Sequence, residues 1–361
     1  YTLWHTLSLH DALPILFYSH TSSRNNYLEI ADALANSAFD YFGGGYWNKT
    51  ADIAVEPTAQ NNGFVITDDL PTLQAQTPGT RVIARDALQQ NPAAPKTGAL
   101  LYEVDRTIIG GISLAEFTEE GIRLLDNDEN GFFMMVEAGK IDWACHANDA
   151  YAAIGDTIAF DDAIKKAVEF YNAHPDETLI VVTADHECGG QTIGFAGTGY
   201  DTFFEVLANQ TMSFEAFDAT VLAGYKAANT TPPADIDPAM WQIIFDNFGL
   251  DGAGLSASAD DDLDAFQIQQ LENAFDKTMS GTSVNLPEED ELLYGYYEPL
   301  TVTLTTILNQ EAGIGWTSFS HTGVPVPVLA MGKYAELFDG FYDNTDVALR
   351  LAQAMGVDLG N

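Results

Sequence analysis

The chain has 361 residues, 46% hydrophobic and 11% aromatic, enough to bury a full core as one large α/β domain or as a domain with insertions. Fifty-three acidic residues against fourteen basic ones set the formal charge at −39, which argues against nucleic acid or an anionic membrane surface as partner, since both reward Lys and Arg. The acids are scattered apart from Asp260-Asp261-Asp262 and Glu288-Glu289-Asp290-Glu291, so they read as a solvated acidic surface suited to salty water, and no apolar run is long enough to span a bilayer.

The chain opens on Tyr1, and residues 1–16 lack both the basic, apolar and small-residue order of a signal peptide and a clean helix or strand period. They are expected to be foreign sequence, a translated adapter joined to a truncated gene, with the domain proper starting at Phe17. Tyr27–Ser37 has helical spacing of apolar residues. Phe39–Phe42 reads as a short strand running into Gly43-Gly44-Gly45, and Phe64–Thr67 and Arg81–Ala84 read as two more. Leu114–Leu125 is an amphipathic helix. Phe132–Val136 is an apolar strand ending at Glu137, followed by a helix over about Ile158–Asn172, a turn at His174–Thr178 and a buried strand Leu179–Thr183. Strand, helix and strand with short links predict a βαβ unit and a parallel sheet, with ligands gathered beyond the carboxyl ends of its strands. Residues 191–310 break this rhythm, with helical patches at 214–226 and 263–276, and read as an inserted subdomain or long loop. An apolar strand Val324–Ala330 and a helix near Asp346–Met355 close the chain.

Carboxylates and imidazoles collect at the ends of the later strands. Glu137, Asp142 and His146 follow the first of them, Asp185 and His186 the next, and His321 precedes Thr322-Gly323. A lone His more often fills a pocket through hydrogen bonds. Here three of seven histidines stand beside strand-ending segments of matching type, which favours a cluster of divalent metals. Carboxylate oxygen with imidazole nitrogen suits zinc, and a purely carboxylate site suits magnesium. His20 reads as structural and His174 as part of a surface turn. Cys145 and Cys188 make no disulfide framework and are expected to be free, packed thiols, with a single bridge between them the alternative.

FFMMVEAGKIDWACHANDA, VVTADHECGG and SHTGVPVPV resemble three ordered signature blocks of the alkaline phosphatase family, and DYFGGG and the SHTSSR segment resemble two weaker ones. The segment before His321 is similar to that of acidic marine bacterial members with an extended loop. The resemblance implies a three-layer α/β/α sandwich around a mostly parallel sheet. It implies two zinc ions and one magnesium, with Asp142, His146 and His321 on the first zinc, Asp185 and His186 on the second, and Glu137 on the magnesium. Arg24 matches the arginine that grips two phosphate oxygens, and Trp143 a variable position lining the pocket. The implied activity is hydrolysis of small phosphate monoesters through a phosphoserine, in the periplasm or outside the cell. Many relatives are homodimers, and residues 191–310 are then the segment to clasp a partner.

The family's nucleophilic Ser stands in an Asp-Ser-Ala context for which this chain has no counterpart. Counting back from Arg24 puts Asp11 and Leu13 where two further magnesium ligands belong, and Leu cannot ligate. The chain as written is therefore expected to be an inactive fragment of such an enzyme. The other readings are a phosphodiesterase, sulfatase or phosphoglycerate mutase with the same two-metal core, or a non-enzymatic metal and phosphate binder.

Overall fold

The computed structural model describes residues 18–23, 25–47, 52–90, 98–256 and 263–358. Helix α1 (Tyr27–Ala35) leads into β1 (Tyr41–Gly44), which joins β2 (Val65–Thr67) and β3 (Val82–Arg85) in a parallel sheet of order β1-β3-β2. The three strands lie within two residues of the apolar runs that predict them. Every residue of β1 and β3 is buried, as expected of strands covered on both faces. Tyr41, Val82 and Ala84 pack with Phe117 and Leu124 of helix α2 (Leu114–Leu125). Phe42 and Ile83 pack on the other side with Ala31 and Leu34 of α1. Helices thus flank a parallel sheet, the α/β layering the sequence implies. Helix α2 starts where Ser113 and Glu116 form a capping box.

Phe132–Val136 departs from expectation. Phe132, Met134, Val136 and Ala138 alternate onto the core beneath α2, yet no strand pairs with this stretch among the described residues. Period-two alternation decides which side chains face inward, whereas a strand also needs a neighbour for its ladder. The next residues form helix α3 (Gly139–His146), and helix α4 (Ala150–Ala173) follows after Asn148 and Asp149. Helix α4 begins eight residues earlier than predicted, because its first turns are alanine-rich and carry little periodic signal. Asp149 caps it by accepting from the Ala152 N–H at 3.0 Å.

Strands β4 (Leu179–Val182), β5 (Glu187–Cys188) and β6 (Thr192–Ile193) come next. The segment read as an insertion or loop is mostly helical. Phe214–Ala216 and Ala223–Ala228 flank a π-helical stretch, Phe217–Leu222. Beyond them lie α5 (Pro238–Phe248), α6 (Ala265–Ser280), α7 (Pro287–Tyr294) and α8 (Pro299–Glu311). Phe217, Met240, Ile244, Phe248, Leu271, Phe275, Leu304 and Leu308 fill a common buried core between them. Strands β7 (Ile314–Gly315), β8 (His321–Thr322) and β9 (Leu329–Gly332) and helix α9 (Thr345–Met355) complete the order. In this half the pairs are antiparallel: β4 with β9, β5 with β8 and β6 with β7. The parallel βαβ unit predicted across 132–183 is therefore replaced by an antiparallel pairing of β4 with the far end of the chain. No helix among the described residues is long and apolar enough to cross a membrane.

Candidate metal centre

The centre is built where α3 ends against the β5–β8 pair. Asp142 and His146 stand four residues apart, one turn of α3, and so share a helix face. The β5–β8 register sets Cys188 opposite His321 and Glu187 opposite Thr322. Glu187 ties this corner together by accepting from the Gly190 N–H at 2.9 Å and from the Thr322 hydroxyl. Gly190 has φ +62°, and a Cβ there would lie 1.9 Å from Thr317 Oγ1, so only glycine lets the two segments close. From the other side Asn148, at φ +53°, donates to the carbonyls of Cys145 and Ser318, both at 2.9 Å. Asn309 of α8 donates to the Asn148 carbonyl at 2.7 Å. Asn148 therefore locks the end of α3 to the strand that presents His321.

These ties bring the predicted ligands together. His146 Nε2 lies 3.1 Å from His321 Nε2 and 3.4 Å from Asp142 Oδ2, and His321 Nε2 lies 3.6 Å from Asp142 Oδ1. His146 Nδ1 is 2.7 Å from the Phe319 carbonyl oxygen. A carbonyl only accepts, so Nδ1 carries the proton and Nε2 is left with its lone pair aimed at His321 and Asp142. This is the outer bond that orients imidazole ligands in metal sites. The His186 ring stacks on that of His321 with centroids 3.4 Å apart, and His186 Nε2 lies 3.2 Å from Asp185 Oδ2. His186 Nδ1 is buried without a hydrogen-bond partner among the described residues. Three imidazoles, His146 and His186 each meeting His321, stand beside two carboxylates; they repel one another if all are protonated, and as neutral lone-pair donors they suit a divalent cation.

The predicted residues differ in how they are placed. Asp142, His146 and His321, with Cys188, offer donor atoms all within 4.8 Å of one another. Asp185 and His186 adjoin that group through the His186–His321 stack. Glu137 precedes α3 on the extended stretch, half-buried and outside the four-residue group. Trp143 packs beside Tyr102, Ala144 and Cys145, with the Lys140 ammonium 4.1 Å from its ring centroid. Arg24, like residues 1–16 with Asp11 and Leu13, lies outside the described residues.

Cys188 is the residue of the cluster that sequence reasoning treated only as packing. Its position two residues after His186 was the available signal. Its thiol donates to the Asp142 backbone carbonyl at 3.6 Å, and burial with the nearby Asp142 charge pushes its pKa well up. Asp142, His146, Cys188 and His321 are all of donor types that zinc accepts. Cys145 is likewise buried and free, its thiol pushed up to about 12, mainly by burial.

A buried polar layer supports α3 from below. Asp149 is fully buried, accepts from Gln210 Nε2 at 3.0 Å and from the Phe214 N–H at 2.9 Å, and burial raises its carboxyl to about 6. Asp105 accepts from the Ser213 hydroxyl at 2.6 Å, and burial raises it too. Asp156, close to the backbone N–H of Glu103, is pushed up to about 8 by burial. Lys140, in the first turn of α3, is buried there and pairs with Glu215 at 2.9 Å.

Residues 95–357 match the family model described as alkaline phosphatase. Alkaline phosphatase 3 of Bacillus subtilis (strain 168) is 29% identical over 97% of this chain, which spans 66% of that relative's length. Among solved structures, a cold-active alkaline phosphatase from the psychrophile Shewanella sp. superposes with a TM-score of 0.72 at 27% identity, covering 98% of this chain and 75% of its own. The alkaline phosphatase of Thermus thermophilus gives a TM-score of 0.74 at 22% identity, over 100% of this chain and 72% of its own, a likeness of fold.

Proposed function

The chain belongs to the alkaline phosphatase family, and on that footing we propose that it carries the metal centre of a phosphoric monoester hydrolase working outside the cytoplasm on small phosphate monoesters through a phosphoserine. The observation that supports this most is the convergence of Asp142, His146 and His321, with the His146 tautomer set by the Phe319 carbonyl. Asp142, His146 and His321 would hold the first zinc, Asp185 and His186 the second, and Glu137 a magnesium ion. Once bound, such ions supply Lewis acidity for the attacking and leaving oxygens of an in-line displacement at phosphorus.

The remaining roles belong to the protein. Arg24 would grip two equatorial phosphate oxygens through its planar guanidinium, a geometry Lys cannot offer. Asp142 would hold two imidazoles in register with one carboxylate, and Asn148 would keep α3 and β8 from drifting apart. The net charge of −39 repels a phosphate ester, so bound cations and Arg24 would have to reverse the potential locally. Residues 191–310 would be the insertion through which two copies associate.

A second reading concerns the chain as it stands. Its sequence holds no Asp-Ser-Ala block, which favours metal and phosphate binding without turnover. Zinc uptake, measured by elemental analysis after dialysis, tests the centre. The expected result is bound zinc that is lost in His321→Ala, and an absence of zinc from the unmodified chain overturns the reading. Hydrolysis of an aryl phosphate by the zinc-loaded chain at a rate typical of enzymes, about 1–1000 per second, contradicts the second reading.

A further inference from the structure

Cys188 stands at the metal centre beside the three residues that would hold the first zinc. The β5–β8 register sets it opposite His321, and its sulfur lies within 4.8 Å of a donor atom on each of Asp142, His146 and His321. Two ties fix its backbone, Glu187 accepting from the Thr322 hydroxyl on one side and the Gly189 N–H donating to the Ser320 carbonyl at 3.0 Å on the other. The thiol itself donates to the Asp142 backbone carbonyl, so it is turned toward the helix that carries Asp142 and His146.

The other three donors already make one face of a coordination shell. His146 Nε2 is 3.1 Å from His321 Nε2 and 3.4 Å from Asp142 Oδ2, and His321 Nε2 is 3.6 Å from Asp142 Oδ1. Bonds of about 2.0–2.2 Å aimed at the corners of a tetrahedron put neighbouring donors roughly 3.3–3.6 Å apart, close to those separations. A sulfur within 4.8 Å of all three is near enough to swing into the remaining corner, and bonds to sulfur are longer than those to nitrogen or oxygen.

Softness decides which ion draws it there. A catalytic zinc takes three protein ligands and leaves the fourth position to water or substrate, and Asp142, His146 and His321 supply those three. A softer cation ranks thiolate sulfur above water and carboxylate oxygen.

We infer that Cys188 is a reserve fourth donor, which stays out of the zinc shell and joins Asp142, His146 and His321 around a soft divalent cation of the cadmium class. The sulfur–metal bond forms as the S–H bond breaks, the proton passes to solvent, and no oxidation state changes. A shell closed by four protein donors has no corner left for a phosphoryl oxygen, so the cadmium form would keep its ion and refuse the ester. The inference rests on the zinc-site reading for the three shared ligands. Sulfur bonding is read separately from zinc uptake, so the two can fail separately.

Titration of the metal-free chain, its thiols reduced, with cadmium chloride tests the inference by ultraviolet absorption. A thiolate–cadmium bond gives a charge-transfer band that nitrogen and oxygen donors do not. The band is expected to rise to saturation in the unmodified chain, to persist in Cys145→Ser and to be lost in Cys188→Ser. Serine is close to cysteine in size and can still donate to the Asp142 carbonyl, so zinc uptake by Cys188→Ser is expected to match that of the unmodified chain. A missing band in the unmodified chain, a band that survives Cys188→Ser, or loss of zinc from Cys188→Ser overturns the inference. Absence of zinc from the unmodified chain overturns the zinc-site reading, while the cadmium band still decides the part played by sulfur.

Discussion

Asn148 is the joint on which the centre depends, and its replacement by Ala should unfasten it. The side chain is 5% exposed and donates to two carbonyls, those of Cys145 and Ser318, on the two segments that carry His146 and His321. Ala abandons the Ser318 carbonyl, at about 1–3 kcal/mol where it stays buried, while the Cys145 carbonyl keeps the backbone N–H of residue 148 at 3.0 Å. It must also hold φ +53°, which Asn accepts more readily than Ala, at an added cost of up to about 1–2 kcal/mol. The expected loss is roughly 1–5 kcal/mol, set against the about 5–15 kcal/mol that holds a domain together. Asn148→Gly loses the same two bonds and keeps the backbone at ease, so it should fall short of wild type by less than Ala does. Urea unfolding followed by circular dichroism gives both values. Because the bonds orient ligands and touch no metal, zinc affinity should drop about 10–100-fold in either variant. Unchanged zinc affinity in a folded Asn148→Gly protein, or equal stability of the two variants, would refute the reasoning.

Three further outcomes follow from buried and surface charge. Burial raises Asp156 to about 8 and Asp149 to about 6, so the folded chain keeps protons that an unfolded carboxyl, at its ordinary 3.8, releases. Their contribution to stability is greatest below that ordinary value and is lost as pH rises through the raised ones. Asp156→Asn can still accept from the Glu103 N–H, and melting of the metal-free variant should decline less steeply between about pH 6 and 8 than that of wild type; parallel curves would contradict the assignment. The charge of −39 should make melting temperature climb with salt from about 0.01 to 1 M NaCl, as the screening length shrinks from roughly 30 to 3 Å. A flat salt series would mean that self-repulsion is unimportant. Cys145 and Cys188 are free and buried with raised thiol pKa values. Ellman's reagent should titrate neither in the native chain and both after unfolding, and rapid native labelling would contradict their burial.

Sequence carried the local parts of this structure well. The apolar runs at 39–42, 64–67 and 81–84 lie over β1, β2 and β3, and Leu114–Leu125 is the predicted helix residue for residue. Long-range pairing was less legible. Phe132–Val136 is apolar throughout, so the run gave no sign that Phe132, Met134 and Val136 would face the core, and the neighbour that makes a ladder is not written in the strand itself. Helix α3 was missed because GKIDWACH opens with glycine and spends its polar residues on the centre, so it lacks an amphipathic period. Helices α5, α7 and α8 each carry Pro in the first turn, a start signal that an aromatic and acidic context obscured. At the centre, motif spelling led to Asp142, His146 and His321, which do converge. The locks that hold them, Asn148, Glu187 and Gly190, emerge only when β5 and β8 are paired. Cys188 stands opposite His321 for the same reason, two residues from a predicted ligand and invisible as a neighbour until the strands meet.

X-ray absorption at the zinc edge of the zinc-loaded chain tests the central claim most directly. Ligation by Asp142, His146 and His321 predicts a shell of nitrogen and oxygen scatterers at about 2.0–2.2 Å, with imidazole outer-shell features and no sulfur. A sulfur shell at about 2.3 Å would make Cys188 a ligand and contradict the carboxylate–imidazole centre, as would zinc bound without imidazole.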